Sequence, residues 1–411
     1  MIDYRRKVLA NGLTVLAHRD TATCMAATNI IYKVGSRDED DDRTGFAHLF
    51  EHLMFAGSRN APSFDDPIQM AAGENNAFTN NDYTDFYITL PQDNIDIALW
   101  LEADRMCGLN INEESLDVQK KVVVEEFNER YLNRPYGDLW LRLRPFVYKV
   151  HPYGHSTIGV SPDHVKNATL SDVHAFYNRY YAPDNAIITI AGNYDYEQMF
   201  DMVESRFGRI TKKSGEKRIL PQEPPQTAPQ TLTIEGDVPA SMVYVIFHMG
   251  GRASDDFVVC DTISDILSCG NSSRLYQSMV KQTGLFTSVD AYITGDIDPG
   301  LFIAGGYVSP GVDIQKARRA LMDELEKMCS QRVDTYELTK VQNKFESNML
   351  FGEVNIMDKA MNLCFYEMLG DVSLVNGELA RYRAVTPDDI IETSRRIFAE
   401  NNTSTLYYLK K

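Results

Sequence analysis

Between Gly45 and Phe55 the chain is apolar except at His48, Glu51 and His52. Positions 48 and 52 are i and i+4, so a helix sends both imidazoles out of one face, one turn apart. Glu51 lies beside that pair. Burying three ionisable groups among apolar flanks is costly unless something pairs them, and a solvated amphipathic helix would not carry such flanks. A metal ion supplies the pairing, because two neutral imidazoles can take two corners of a zinc tetrahedron. The carboxylate next to them can accept a proton from an attacking water without being a ligand itself.

The order H-x-x-E-H is the inverted zinc-peptidase arrangement. A catalytic zinc ordinarily has three protein ligands and one open position, so His48 and His52 need a partner. The helical stretch from Val122 to Glu129 offers Glu125, Glu126 and Glu129. Glu125 and Glu129 share a face, whereas Glu126 points about 100° away from Glu125. Spacing alone does not choose among them.

A net charge of −17 argues against a nucleic-acid partner, which would need a basic face. It leaves room for cationic peptide substrates. No stretch is apolar for long enough to span a bilayer. The segment Met1 to Lys7 lacks the apolar core of a secretory signal, which predicts a cytoplasmic protein, or a periplasmic one had a signal been removed. Six Cys are scattered without a C-x-x-C spacing. They read as buried hydrophobes in a reducing compartment.

The polar, Pro-rich segment from Thr211 to Pro229 reads as an extended linker. It divides the chain into an expected N-terminal domain, 1–215, a linker, 216–230, and a C-terminal domain, 231–411. The halves look like distant copies. Asp172-Val173 opens a helical stretch followed by an apolar strand from Asn185 to Ala191, and Asp389-Ile390 opens another followed by Asn402 to Tyr408. Val8 to Leu16 reads as a hairpin about an Asn11-Gly12 turn, and Asp85 to Leu90 as a strand. Ile95 to Met106, Leu116 to Tyr131 and Glu197 to Phe207 have helical spacing. This alternation predicts an α+β protein of two similar domains, each a mainly antiparallel sheet with helices packed on one face.

Two other features invite a functional reading. His151 and His155 are also four apart, but Pro152 and Gly154 break helical register, so no second metal site is expected there. The acidic run Asp38 to Asp42 reads as a solvated loop, with attraction of cationic substrate as its only specific role.

Taken together, these motifs make the chain similar to the pitrilysin/insulysin-like zinc peptidases, and within them to the half-length, processing-peptidase-like group. The resemblance runs nearly end to end: Leu9 to Val15, Gly35 to Glu39, Gly45 to Ser58, Asn76 to Thr79 with Thr84 and Tyr87, Val122 to Glu126, Tyr180 to Ala186, and Ala191 to Asn193. It implies Glu126 as the third zinc ligand, with Glu129 as the fallback, one Zn2+ per chain, and Glu51 as general base. It implies that substrate peptide adds as a strand beside Asn76, Ala77 and Phe78. Two such chains would close around a chamber that limits substrate size.

Two departures from the family pattern stand out. Relatives commonly carry a Glu seven residues before the zinc Glu, where this chain has Gln119. Gln cannot share a proton but can still hydrogen-bond. Relatives that complete the site also place an Arg and a Tyr after a Ser-Arg-Leu motif. In the register of Ser273-Arg274-Leu275 those positions are Val280 and Thr287. The resemblance then implies a zinc-dependent endopeptidase subunit working with a paralogous non-zinc subunit. A homodimer without the pair is the other arrangement. A non-catalytic scaffold or a peptide-binding subunit of the same fold is the rival reading.

Overall fold

The computed structural model describes residues 1–411. The Asn11-Gly12 turn folds β1 (Arg5–Val8) antiparallel onto β2 (Thr14–Arg19). Gly12 sits at φ +96°, and a Cβ there would come within 2.8 Å of Asp184, so only glycine makes this turn without strain. The sheet continues with β3 (Met25–Tyr32), β4 (Glu74–Thr79), β5 (Thr84–Pro91) and β6 (Ala186–Gly192), in the order β1-β2-β6-β3-β5-β4. All neighbours are antiparallel except the parallel pair β2 and β6.

A second sheet is built from β7 (Gln230–Gly236), β8 (Met242–His248), β9 (Phe286–Ile293), β10 (Leu301–Val308) and β11 (Ser404–Lys410), in the order β7-β11-β8-β10-β9. Its parallel pair is β7 and β11. Strand for strand this is β2-β6-β3-β5-β4 again. The main helices recur in step. The first copy carries α1 (Phe46–Leu53), α2 (Ile95–Cys107), α3 (Glu113–Phe127), α4 (Leu139–Val147) and α5 (Leu170–Tyr180). The second carries α6 (Asp255–Ser268), α7 (Ile314–Ser330), α8 (Thr335–Gly352), α9 (Ile356–Met368) and α10 (Pro387–Ile397). The faint repeat in the sequence is therefore a duplicated α+β domain. No helix is long and apolar enough to cross a membrane.

The units are not the contiguous blocks 1–215 and 231–411. The first comprises Met1–Leu132, His151–Pro221 and Leu350–Asn376; the second comprises Asn133–Val150, Gln222–Met349 and Gly377–Lys411. Each copy thus lends one helix to the other unit. The reason is the two-residue period of a strand, which gives a sheet two faces. In β3, Tyr32 faces the α1 side, packing on Phe86 and Tyr181. Its neighbour Ile31 points the other way, and with Leu16 and Ile187 it makes an apolar surface that needs a cover. Helix α9 supplies it with Leu363 and Cys364, while Ala360 settles against Ala27 and Ala191. Burying a side chain such as Leu363 contributes about 1.5–3 kcal/mol.

In the second unit, residues around α4 do the corresponding work. The Tyr136 ring packs on Tyr307 and Tyr408, and its hydroxyl donates to Ala240 O at 2.7 Å. Val147 O meets His248 Nε2 at 3.1 Å. The polar stretch from Thr211 lies along the first unit before the crossover at Pro221: Lys213 Nζ donates to Asn11 O, Ser214 N to Asp184, Gly215 N to Arg179 O and Arg179 Nε to Glu216 O.

Candidate metal centre

Helix α1 has only eight residues, so its position depends on tertiary contacts rather than on helix propensity. Phe46, Leu49, Phe50 and Leu53 are buried on its core side. Phe50 stacks on Phe176 at 4.9 Å and on Tyr181 at 5.2 Å. The chain enters the helix through Gly45 at φ +90°, where a Cβ would lie 2.7 Å from Ile158 O.

The acidic run before this helix is not simply a solvated loop. Asp40, Asp41 and Asp42 are exposed, but Glu39 is fully buried. Its carboxyl accepts the amides of Gly45 at 2.8 Å and Ala47 at 2.7 Å, two of the unpaired donors at the start of α1. Burial outweighs those amides and pushes its pKa well above the usual range. Burial likewise raises Asp38 to about 6. No side-chain cap comes from Gly45 itself, and Glu39 takes over that task from six residues upstream.

Helix α3 starts at Asn112, whose side chain accepts Ser115 N at 2.9 Å. Near its other end it brings Glu126 to the α1 imidazoles. Glu126 Oε1 lies 3.7 Å from His48 Nε2, and Oε2 lies 3.5 Å from His52 Nε2. One ligand atom from each of His48, His52 and Glu126 can be chosen so that all lie within 4.8 Å of one another. Donors about 2.0–2.1 Å from a tetrahedral zinc are roughly 3.3–3.5 Å apart, so this cluster could hold such an ion after a modest contraction. Glu125 and Glu129 are exposed and stand outside the cluster. Gln119 lies on α3, two turns before Glu126.

Burial lowers the pKa of His48 to about 4, so its ring is neutral near pH 7. A hydrogen bond from His52 holds Glu126 below the usual carboxylate range. Glu51 is different. Burial raises its pKa, and the Thr79 hydroxyl donates to its Oε2 at 2.7 Å. Beside a neutral His48 and an acid held low, Glu51 is thus a carboxylate whose basicity is increased. After α3 the chain widens into a π-helical turn, Asn128–Leu132, and Arg130 Nη1 comes 2.7 Å from Glu126 Oε1.

Strand β4 is the edge of the first sheet, paired only with β5. Asn76, Ala77 and Phe78 sit on it but do not face one way. Ala77 stands opposite Phe86, and Thr79 reaches Glu51, so these two are on the α1 face. Asn76 and Phe78 are on the α9 face, where Phe78 meets Tyr83 at 5.7 Å and Tyr83 meets Phe365 at 6.0 Å. The Ala77 amide donates to the Asn76 side chain at 2.8 Å.

In the second copy, α6 contains no His. Val280 packs half-buried against the second core, and Thr287 on β9 donates to Tyr307 O at 3.2 Å. The sequence reasoning missed three side chains around the cluster. Glu39 was hidden in an acidic run, Thr79 in a strand, and Arg130 was signalled only by its i+4 spacing from Glu126.

Two repeated α+β domains, the first carrying an H-x-x-E-H helix beside an acid-bearing helix, make up the architecture of two-domain metallopeptidases. A family model described as Insulinase (Peptidase family M16) matches residues 14–142, and one described as Peptidase M16 inactive domain matches residues 167–345. The chain belongs to this M16 insulinase family, with the half-length, pitrilysin-like build. The zinc protease PqqE of Helicobacter pylori is 28% identical over 409 residues, covering 97% of this chain and 91% of that protein. A Streptomyces coelicolor protein described as an uncharacterized zinc protease is 27% identical over 423 residues, covering 96% of this chain and 87% of its own length. The crystal structure of a protease from Helicobacter pylori superposes with a TM-score of 0.93 at 26% identity, covering 99% of this chain and all of that one.

Proposed function

We propose that the protein is a zinc-dependent endopeptidase, with His48, His52 and Glu126 as ligands and Glu51 as general base. The observation that carries this reading is the convergence of Glu126 on two imidazoles presented by one helical turn. The four residues all fall in the part matched by the insulinase model, whereas the model described as inactive matches the later part, 167–345. Relatives of nearly the same length carry zinc-protease names.

A zinc held by His48, His52 and Glu126 would supply Lewis acidity toward an attacking water and the scissile carbonyl. Glu51, with its raised affinity for protons, takes a proton from that water and passes it to the leaving amine. The Thr79 hydroxyl keeps the Glu51 carboxylate oriented while that happens. Substrate is held as an extra strand on β4, in place of the bond between Ala77 N and the Asn76 side chain. Main-chain pairing of this kind gives loose sequence preference.

The second half offers no cation or phenol at Val280 and Thr287, which favours an active subunit paired with a non-zinc paralogue over a homodimer. The rival is a non-catalytic scaffold or peptide-binding subunit of the same fold, to which the inactive-domain description lends weight. Zinc content and peptide hydrolysis, measured for the wild type, His48→Ala and Glu126→Ala, alone and with co-purified partner, decide between them. Near-stoichiometric zinc that is lost with hydrolysis in both variants supports the peptidase. Metal-free, inert wild type with its partner present rejects it.

A further inference from the structure

We propose that Arg130 is a positioning residue for the metal centre: its guanidinium holds one oxygen of Glu126 and so fixes the carboxylate beside the two imidazoles. This rests on the reading of His48, His52 and Glu126 as ligands. Arg130 Nη1 lies 2.7 Å from Glu126 Oε1, which is itself 3.7 Å from His48 Nε2, while Oε2 faces His52 Nε2 at 3.5 Å. The cation thus anchors the carboxylate at one oxygen, and each oxygen is kept beside one imidazole. A flexible Glu side chain has rotamers that point its acid away from the site, and the charged hydrogen bond selects against them.

The backbone prepares this contact. In an α-helix, residue 130 would stand about 40° round from residue 126. The π turn over Asn128–Leu132 takes an extra residue per coil and draws Arg130 back above Glu126. Two opposed effects on metal binding follow. A cation near a dication repels it, but the Arg130 side chain is 64% exposed, and water screens that repulsion. Orientation of the ligand acts through a direct 2.7 Å contact to a half-buried acid, so it is weakened less. Positioning therefore wins, and removing Arg130 should weaken metal binding.

The test is zinc affinity of the full chain, by competition with a chromogenic chelator, for wild type, His48→Ala, Arg130→Met and Arg130→Lys. If His48→Ala binds zinc as tightly as wild type, the metal-site reading fails, and the role of Arg130 with it. If His48→Ala binds weakly, the result for Arg130 stands by itself. We expect Arg130→Met to lose about 10–100-fold in affinity, the usual effect of removing a partner of a metal ligand, and Arg130→Lys to recover part of it. Affinity in Arg130→Met equal to or above wild type overturns the proposal and leaves the metal site intact. Chelator-treated Arg130→Met should melt with chelator-treated wild type. A clear drop there would assign Arg130 to stability instead.

Discussion

The Glu39 carboxyl takes the Ala47 amide at 2.7 Å, one residue before His48, the first imidazole of the cluster. A buried acid thus caps a helix too short to hold its own place. Replacing Glu39 by Ala leaves the Gly45 and Ala47 amides buried without an acceptor. A loss of about 1–3 kcal/mol is expected from such orphaned groups, read as a lower urea midpoint. Zinc affinity should fall as well. Unchanged stability would show that water or a neighbour replaces the cap.

Glu51 is next to the proposed metal ligands but is held by Thr79 rather than by the cluster. Glu51→Gln should therefore keep its zinc and lose hydrolysis by about 10²–10⁴-fold, the scale of general-base catalysis. Metal analysis alongside a fluorogenic peptide assay separates the two properties. Full activity in this variant is incompatible with Glu51 as the base.

Metal removal gives a third expectation. A chelator should abolish hydrolysis, and added zinc should restore it. Because the proposed site exists only in the folded chain, a hundredfold excess of zinc over Kd should add about 2.7 kcal/mol of stability. Melting curves of chelated and reloaded protein would show this as a rise in Tm.

The lent helix α9 predicts the behaviour of fragments. A chain of residues 1–221 lacks Leu350–Asn376 and leaves Leu16, Ile31 and Ile187 uncovered. It should be poorly soluble and bind a hydrophobic dye, and a peptide spanning 350–376 should reverse both. A soluble, cooperatively melting 1–221 fragment would mean that the sheet tolerates an open face.

Asp85 lies beneath α9, fully buried, with the Asn29 amide donating to it. Burial raises its pKa well above the ordinary value. A raised carboxyl pKa means that the folded chain favours the neutral acid. Its contribution is complete below the unfolded value, about pH 3.9, and is lost as pH climbs toward the folded value. Asp85→Asn keeps the acceptor and does not titrate. Its stability relative to wild type should match near pH 4 and improve at higher pH, by up to about 1.4 kcal/mol per pH unit across the window. Urea unfolding between pH 4 and 8 measures this, and a pH-independent difference would rule it out.

Local periodicity accounts for what the sequence revealed. The i, i+4 spacing of His48 and His52, the Asn11-Gly12 turn and the helical run ending near Glu126 concern neighbours along the chain, and short-range sterics and hydrophobic alternation decide them. The duplicated order of strands and helices was visible for the same reason, since each copy repeats its own local pattern.

Tertiary structure decided the rest. Spacing could not choose among Glu125, Glu126 and Glu129, because the choice depends on which face of α3 meets α1. Nothing near Glu39 in the chain distinguishes it from Asp40 and Asp41, yet one is buried against helix amides and the others are in water. The exchange of α4 and α9 was equally hidden. A helix's own sequence shows that it has an apolar face, while the sheet that receives this face can be hundreds of residues away, and only packing brings them together.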